Sequence, residues 1–242
     1  MWSLTFILPN AVILGSQYAL GLSISTRSLV TNACIAAWGL RLAFHIGARH
    51  SGEDYRYVAL RERMSKHGQN WYYFYAFVFI FMLQASLALI VNAGTLYQTA
   101  YHASTIPLGW KDYAGWAVFM AGFIIEAASD NQLTKHLADE DPNKGKFCKR
   151  GFWRYSRHPN YFGEALLWWG LYITTCSLPR GYWYFYSPLV ITLLVRYVSG
   201  VPLLERKQKK HPEFARYEKE TSVFIPWFYT ELAADGEFEK IQ

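Results

Sequence analysis

Apolar, aromatic-rich runs recur along most of this chain, and short basic loops separate them. A helix needs about 20 mostly apolar residues to cross the hydrocarbon of a bilayer. Runs of that kind commit the backbone to helix, because a helix satisfies its own N–H and C=O groups in lipid. The expected fold class is therefore all-α: a polytopic integral membrane bundle with about six transmembrane helices. Composition agrees, with aromatics at 18% against 17% charged residues. A net charge of +6 would also suit a nucleic-acid binder. The basic residues instead sit in the loops between apolar runs, where membrane topology puts them, so no nucleic-acid partner is expected.

The runs differ in quality. Leu4 to Leu22 is interrupted by Pro9, Asn10, Gly15 and Ser16, which makes residues 1–27 a weak or shortened, kinked first helix. Ser28 to Gly47 is a better span that carries Asn32, Arg41 and His45. Arg41 either snorkels to the interface or faces a cavity. Trp71 to about Tyr97 is a strong span with Trp71, Tyr72, Tyr73 and Tyr75 as an aromatic belt. Its central Gln84 reads as helix–helix glue. Tyr113 to Ala128 spans again and ends in Glu126 and Asp130, four apart and so on one helix face. Carboxylates at that depth need a partner or a wet cavity. A further helix begins near Pro159, and the last span runs from Tyr182 through Arg196 to about Leu204. The tail from Glu205 is charged and includes an FIPWF segment suited to the membrane surface, with residues 228–242 as a polar end. The whole chain, 1–242, reads as one membrane domain.

Loop charges test this layout. Arg49, Arg56, Arg61, Arg63 and Lys66 fill one loop, and Lys135, Lys144, Lys146, Lys149, Arg150, Arg154 and Arg157 another. Arg206, Lys207, Lys209 and Lys210 open the tail, while the intervening loops hold Lys111 and Arg180. Basic and poor loops alternate, as the positive-inside rule requires. Cys34, Cys148 and Cys176 are widely spaced and imply neither a disulfide framework nor a metal site.

The chemistry concentrates in GFWRYSRHPNYFGEALLWWG, Gly151 to Gly170. His158 precedes a proline and is pushed from helical angles, while Pro159 suits a first helical turn. That turn leaves backbone N–H groups unpaired, with Arg154, Arg157 and His158 close in sequence. A helix N-terminus with guanidinium groups is an anion site, most naturally for phosphates. Asn160, Tyr161, Glu164 and Trp168 follow at helical spacing on one face. The alternative is a basic juxtamembrane anchor, for which Asn160 and Glu164 have no use. An earlier polar segment with Glu53, Asp54, Tyr55, Arg56 and Tyr57 follows a span directly and could cap a site at the membrane face.

RYSRHPNYFGE with WWG, the earlier GEDYRY, the ExxxD of Glu126 and Asp130, and VSGVPLLE followed by FIPW together resemble the DUF1295 family. That family is grouped with the steroid 5-alpha-reductase and sterol-reductase membrane enzymes, and the resemblance covers about Trp38 to Trp227. It implies a helical membrane fold with NADPH in a polar cavity among the C-terminal helices, within residues 113–227. On that pattern Asp130, Arg157, Asn160, Tyr161, Glu164 and Arg196 are cofactor-binding residues, with Arg154, Tyr155 and His158 beside them. The chain lacks G-x-G-x-x-G, so a nucleotide needs another phosphate site. The implied activity is reduction of a carbon–carbon double bond conjugated to a carbonyl, in an apolar lipid-like substrate such as a steroid, polyprenoid or enoyl lipid.

Two departures matter. Near the Tyr of the steroid reductases this chain has Trp38 before Gly39, Leu40 and Arg41, and the early helix bearing their Glu is short or missing. The catalytic acid therefore does not carry over, and Glu53, Tyr55 and Tyr57 are substitutes by location. These departures motivate an alternative: a non-catalytic, reductase-like subunit of a membrane complex, respiratory for example. R-H-P-x-Y is shared with membrane methyltransferases, so S-adenosylmethionine is a third expectation. The endoplasmic reticulum and the mitochondrial inner membrane suit the basic loops equally.

Overall fold

In the computed structural model, residues 3–49, 58, 61–62, 64–66, 68–101, 106–141 and 145–230 are described. Their secondary structure is helical apart from one isolated parallel bridge, Ser156 to Ser222. We number the helices α1 (Leu4–Ala19), α2 (Thr26–Arg49), α3 (Gln69–Ala100), α4 (Trp110–Ala138), α5 (Pro159–Thr175), α6 (Tyr186–Leu193), α7 (Val201–Gln208) and α8 (Pro212–Glu220). Three helical stretches are long and apolar enough to cross a membrane: Thr26–Ala48, Gln69–Ala100 and Gly181–Gln208. They mark a membrane protein. α1 is apolar but only 16 residues long, and α5 only 17. α4 has the length, but Asp112, Glu126 and Asp130 interrupt it. These three fall short of the apolar length that the sequence alone suggested for six spans.

The chain divides into two compact units, Met1–Tyr113 with Leu171–Ser187, and Ala114–Gly170 with Pro188–Gln242. In the first unit the residues that weaken α1 as a span join it to its neighbours. Asn10 is buried, donates to Asn92 Oδ1 at 3.1 Å and accepts from Thr99 Oγ1 at 2.9 Å. Asn32 of α2 donates to the same Thr99 hydroxyl at 2.9 Å, and Gln17 to the Thr99 carbonyl at 2.8 Å. Polar pairs of this kind hold helices together where the surrounding lipid is as apolar as the side chains. Arg27 and Asp112 add an ion pair to the same unit with two bonds, Nε to Oδ1 at 2.6 Å and Nη2 to Oδ2 at 3.0 Å. Gln84, expected to act as glue, lies in α3 and is only half-buried.

In the second unit α4 and α5 meet through glycine. Gly163 and Gly170 lie two turns apart on α5 and face Gly122 and Gly115 of α4. A Cβ at Gly163 would stand 2.6 Å from Glu126 N and 2.7 Å from Gly122 O, and one at Gly170 would stand 2.4 Å from Phe119 N. The obstacles are backbone atoms, which cannot rotate aside, so only glycine permits this approach. Around it Phe119, Leu167, Trp168 and Trp153 are buried.

Gly163→Ala should therefore lower the unfolding midpoint in detergent by the equivalent of about 1–3 kcal/mol, the usual cost of overpacking. Gly15→Ala, where a Cβ meets nothing within 4 Å, should be neutral or slightly stabilising. Thermal melts of the two variants side by side make the comparison.

Candidate functional site

The site grows from the start of α5. Gly151–Arg154 forms one 3-10 turn, and the chain then turns at Tyr155, bridges at Ser156 and bends at Arg157 and His158 before Pro159 opens the helix. Ser156 is fixed on both sides: its hydroxyl donates to Phe224 O at 2.8 Å and accepts from His158 N at 3.1 Å. Arg157 N donates to Ser222 O, and Trp227 N to Tyr155 O. The FIPWF segment is thus docked beside residues 155–157. Phe224 turns inward against Phe162, while Ile225, Trp227 and Phe228 stay exposed.

Arg157 is 6% exposed and points into the protein. Its Nε donates to Glu205 Oε1 at 2.8 Å, and Nη1 donates to the carbonyls of Glu218 and Thr221 at 3.0 and 2.7 Å. His158 Nε2 shares the Glu205 carboxylate at 3.2 Å. Burial pushes the His158 pKa below its ordinary value, and the adjoining Arg157 and Arg196 add to this against the pull of Glu205. The ring is therefore neutral at pH 7 and must carry its proton on Nε2 to donate to the carboxylate. Tyr161 stacks on that ring at 5.8 Å.

This changes what the basic cluster does. Arg154, Arg157 and His158 were expected to gather as a phosphate site around the first turn of α5. Arg157 is instead the hub that ties residues 156–158 to α7 and α8. Arg154 is exposed and lies over the Tyr229 ring at 4.9 Å, and Tyr155 is exposed as well. Arg196 sits on the π-helical turn Leu194–Val198, over Tyr197, and reaches His158 through its charge. Asp130 and Asn160 do come together, with Asn160 Nδ2 donating to Asp130 Oδ1 at 3.1 Å. Glu164 lies one turn further along α5 and is half-buried. Glu53, Tyr55 and Tyr57 lie outside the described residues.

A cavity of about 450 Å³ opens beside the cluster. Arg157, His158 and Asn160 line one wall, and the remaining walls bring residues that motif reading did not single out. These are His136 from α4, Lys146 and Phe147 from the following loop, Lys207 from α7, and His211 and Tyr217 from α8 and its start. Lys146 and Lys207 had figured only as loop charges. Asn160 Oδ1 is buried and finds no hydrogen-bond partner among the described residues. The cavity therefore combines basic and aromatic lining residues with a buried Asn160 acceptor that has no partner among the described residues. Its volume is ordinary for a small-molecule site, about 300–1,000 Å³.

Below the cavity a second ion cluster fixes α8. Glu220, 1% exposed at its side chain, pairs with Lys149 at 2.8 Å and Arg216 at 2.7 Å. Burial alone would raise its pKa, but these two hydrogen bonds outweigh it and hold the carboxyl below the usual range. Tyr217 donates to the carbonyl of Cys148 or of Trp153, at 3.3 and 3.0 Å, and Trp153 Nε1 to Ser129 O at 2.9 Å.

A family model described as "Protein of unknown function (DUF1295)" matches residues 1–221. The chain belongs to the DUF1295 family. The matched range includes every element that lines the cavity. "Uncharacterized protein C594.04c" of Schizosaccharomyces pombe is 27% identical over 250 residues, covering 91% of this chain and 70% of that relative. No solved structure matches.

Two outcomes follow for this DUF1295 protein. Glu205→Gln or Arg157→Ala leaves a buried charge without its partner and should cost about 3–5 kcal/mol in equilibrium unfolding. The paired change Arg157→Met with Glu205→Leu should recover much of that loss. For Glu220, whose folded pKa is depressed, the stabilisation is present above about pH 4.5 and is lost as pH falls through the lower folded value. Glu220→Gln should therefore melt below wild type at pH 7, and the gap should close in acid.

Proposed function

We propose that this protein is an NADPH-dependent membrane reductase that saturates a conjugated carbon–carbon double bond in a lipid-soluble substrate, a steroid, polyprenoid or enoyl lipid. The observation that carries the reading is the basic, aromatic-walled cavity at the start of α5, with its orphaned Asn160 Oδ1. Its resemblance-implied residues Arg157, Asn160 and, through Asn160, Asp130 belong to the same wall. The grouping with steroid 5-alpha-reductases, the six-span topology and residence in the endoplasmic reticulum or mitochondrial inner membrane are parts of the same proposal.

The residues present fit a dinucleotide. Lys146 and Lys207 supply charge for phosphates, and His136 and His211 add donors near them. Phe147, half-buried and stacked on the buried Tyr217, offers an aromatic surface to a flat heterocycle. Asn160 Oδ1 needs a donor, and an amide or ribose hydroxyl is one. When bound, NADPH supplies the hydride. The chain's own work is to orient the ligand, exclude water and leave the reacting edge open to an apolar substrate. Arg157 holds the frame through Glu205 rather than the phosphates. An acid near the substrate carbonyl is required, and Glu53, Tyr55 and Tyr57 remain its candidates by sequence position.

A second reading, a non-catalytic subunit of a membrane complex, is favoured by one observation: the strongest cation of the motif is neutralised internally by Glu205. Fluorescence titration of the purified protein in detergent separates the readings. NADPH should bind saturably, and Lys207→Ala should weaken it about tenfold at an unchanged melting temperature, while Asn160→Ala, which also removes the bond to Asp130, should weaken it at a lowered one. S-adenosylmethionine run in parallel should not saturate; if it alone does, the chain is a methyltransferase. Binding of neither supports the subunit reading and removes the reductase.

A further inference from the structure

The first unit contains a larger cavity that the proposed chemistry does not use. It measures about 750 Å³ and is lined by Tyr97, Tyr101, Pro179, Arg180, Trp183, Tyr184 and Tyr186. It forms where the C-terminal end of α3 meets the start of the Gly181–Gln208 stretch, both long enough to cross a membrane. Where spanning helices end, tyrosine and tryptophan mark the headgroup level of a bilayer.

We propose that this cavity binds a membrane phospholipid, with Arg180 on the phosphate and the aromatic rings around the headgroup. Charge supports the choice of ligand. Arg180 is exposed, and among the described residues it is the one charged residue of the lining and has no ion-pair partner. An exposed guanidinium of this kind matches a phosphodiester in charge and in its paired donors. Tyrosine and tryptophan prefer this same depth, with ring bodies toward the chains and polar tips toward the headgroups.

The cavity is also built rather than incidental. Tyr97 and Tyr184 stack at 4.7 Å with their planes 19° apart, and the Tyr97 hydroxyl donates to the carbonyl of Pro179. The turn bearing Arg180 is thereby held against α3. Gly181 lies so close to Thr175 that a Cβ there would stand 1.9 Å from Thr175 O, which pins the next residue too. Arg180 itself holds a left-handed backbone at φ 59°, a conformation that glycine adopts freely and arginine rarely does. An arginine kept where glycine would be easier points to a use for its side chain.

The left-handed backbone also supplies a clean variant. Arg180→Gly deletes the charge without straining the turn, and Arg180→Lys keeps a charge but not the fork. Native mass spectrometry of the full chain in mild detergent, titrated with dioctanoyl-phosphatidylglycerol, reads the binding directly. Wild type should take up one tightly held phospholipid, and Arg180→Gly should weaken it about tenfold at an unchanged melting temperature, with Arg180→Lys in between. Dioctanoylglycerol, which lacks the phosphate, and millimolar inorganic phosphate should both fail to displace it. Equal lipid retention in Arg180→Gly, or displacement by dioctanoylglycerol, would overturn the proposal. Displacement by inorganic phosphate alone would make this a site for a free anion and overturn the lipid assignment.

Discussion

Backbone contact between α4 and α5 is the constraint on which the second unit depends. Gly163 and Gly170 let α5 approach until its Cα positions touch the backbone of α4 at Gly122, Glu126 and Phe119. In lipid there is little hydrophobic gain from putting two helices together, so close packing has to supply the attraction. The approach also sets the chemistry. It places Asn160, one turn before Gly163, against Asp130, one turn after Glu126. The acidic stretch of α4 at Glu126 and Asp130 and the polar start of α5 thus meet because of four glycines that carry no chemistry themselves.

Charge organises the next layer. Arg157 has moved from an expected ligand to a structural centre, joined to Glu205, to the carbonyls of Glu218 and Thr221, and through Glu205 to His158. Ser156 and the bridge to Ser222 bring in the FIPW segment at the same point. One short stretch, 155–158, therefore gathers α7, α8 and residues 222–227. The cavity is the space left between these elements, and its cations come from segments on its rim. Such a division of labour is physically sensible. A buried guanidinium hydrogen-bonded through Nε and Nη1 is held in place, whereas the lysines of the rim, Lys146 and Lys207, stand exposed.

The sequence made the helices legible because hydrophobic length and loop charge are local signals. It also located the stretch around His158-Pro159, where proline chemistry marks a helix start. What it could not separate was a cation that binds a ligand from one that holds the fold. Arg157 and Lys207 look alike on paper, yet in the fold Arg157 is buried against Glu205 while Lys207 lies exposed beside the cavity. Glu205 was visible as the first residue of the charged tail, yet nothing local indicates its reach to a residue 48 positions earlier. The count of spans blurred for a related reason. α1 and α4 spend apolar length on Asn10, Gln17 and Asp130, whose partners lie far away in sequence.

The most direct measurement is photolabelling of the purified protein with an azido-substituted NADPH, followed by peptide mapping. The proposed site predicts saturable labelling, competed by NADPH, on peptides from residues 145–160 and 204–217. Saturable labelling confined to other segments would contradict the assignment of the cavity. No competable labelling at all would contradict the nucleotide-binding function itself.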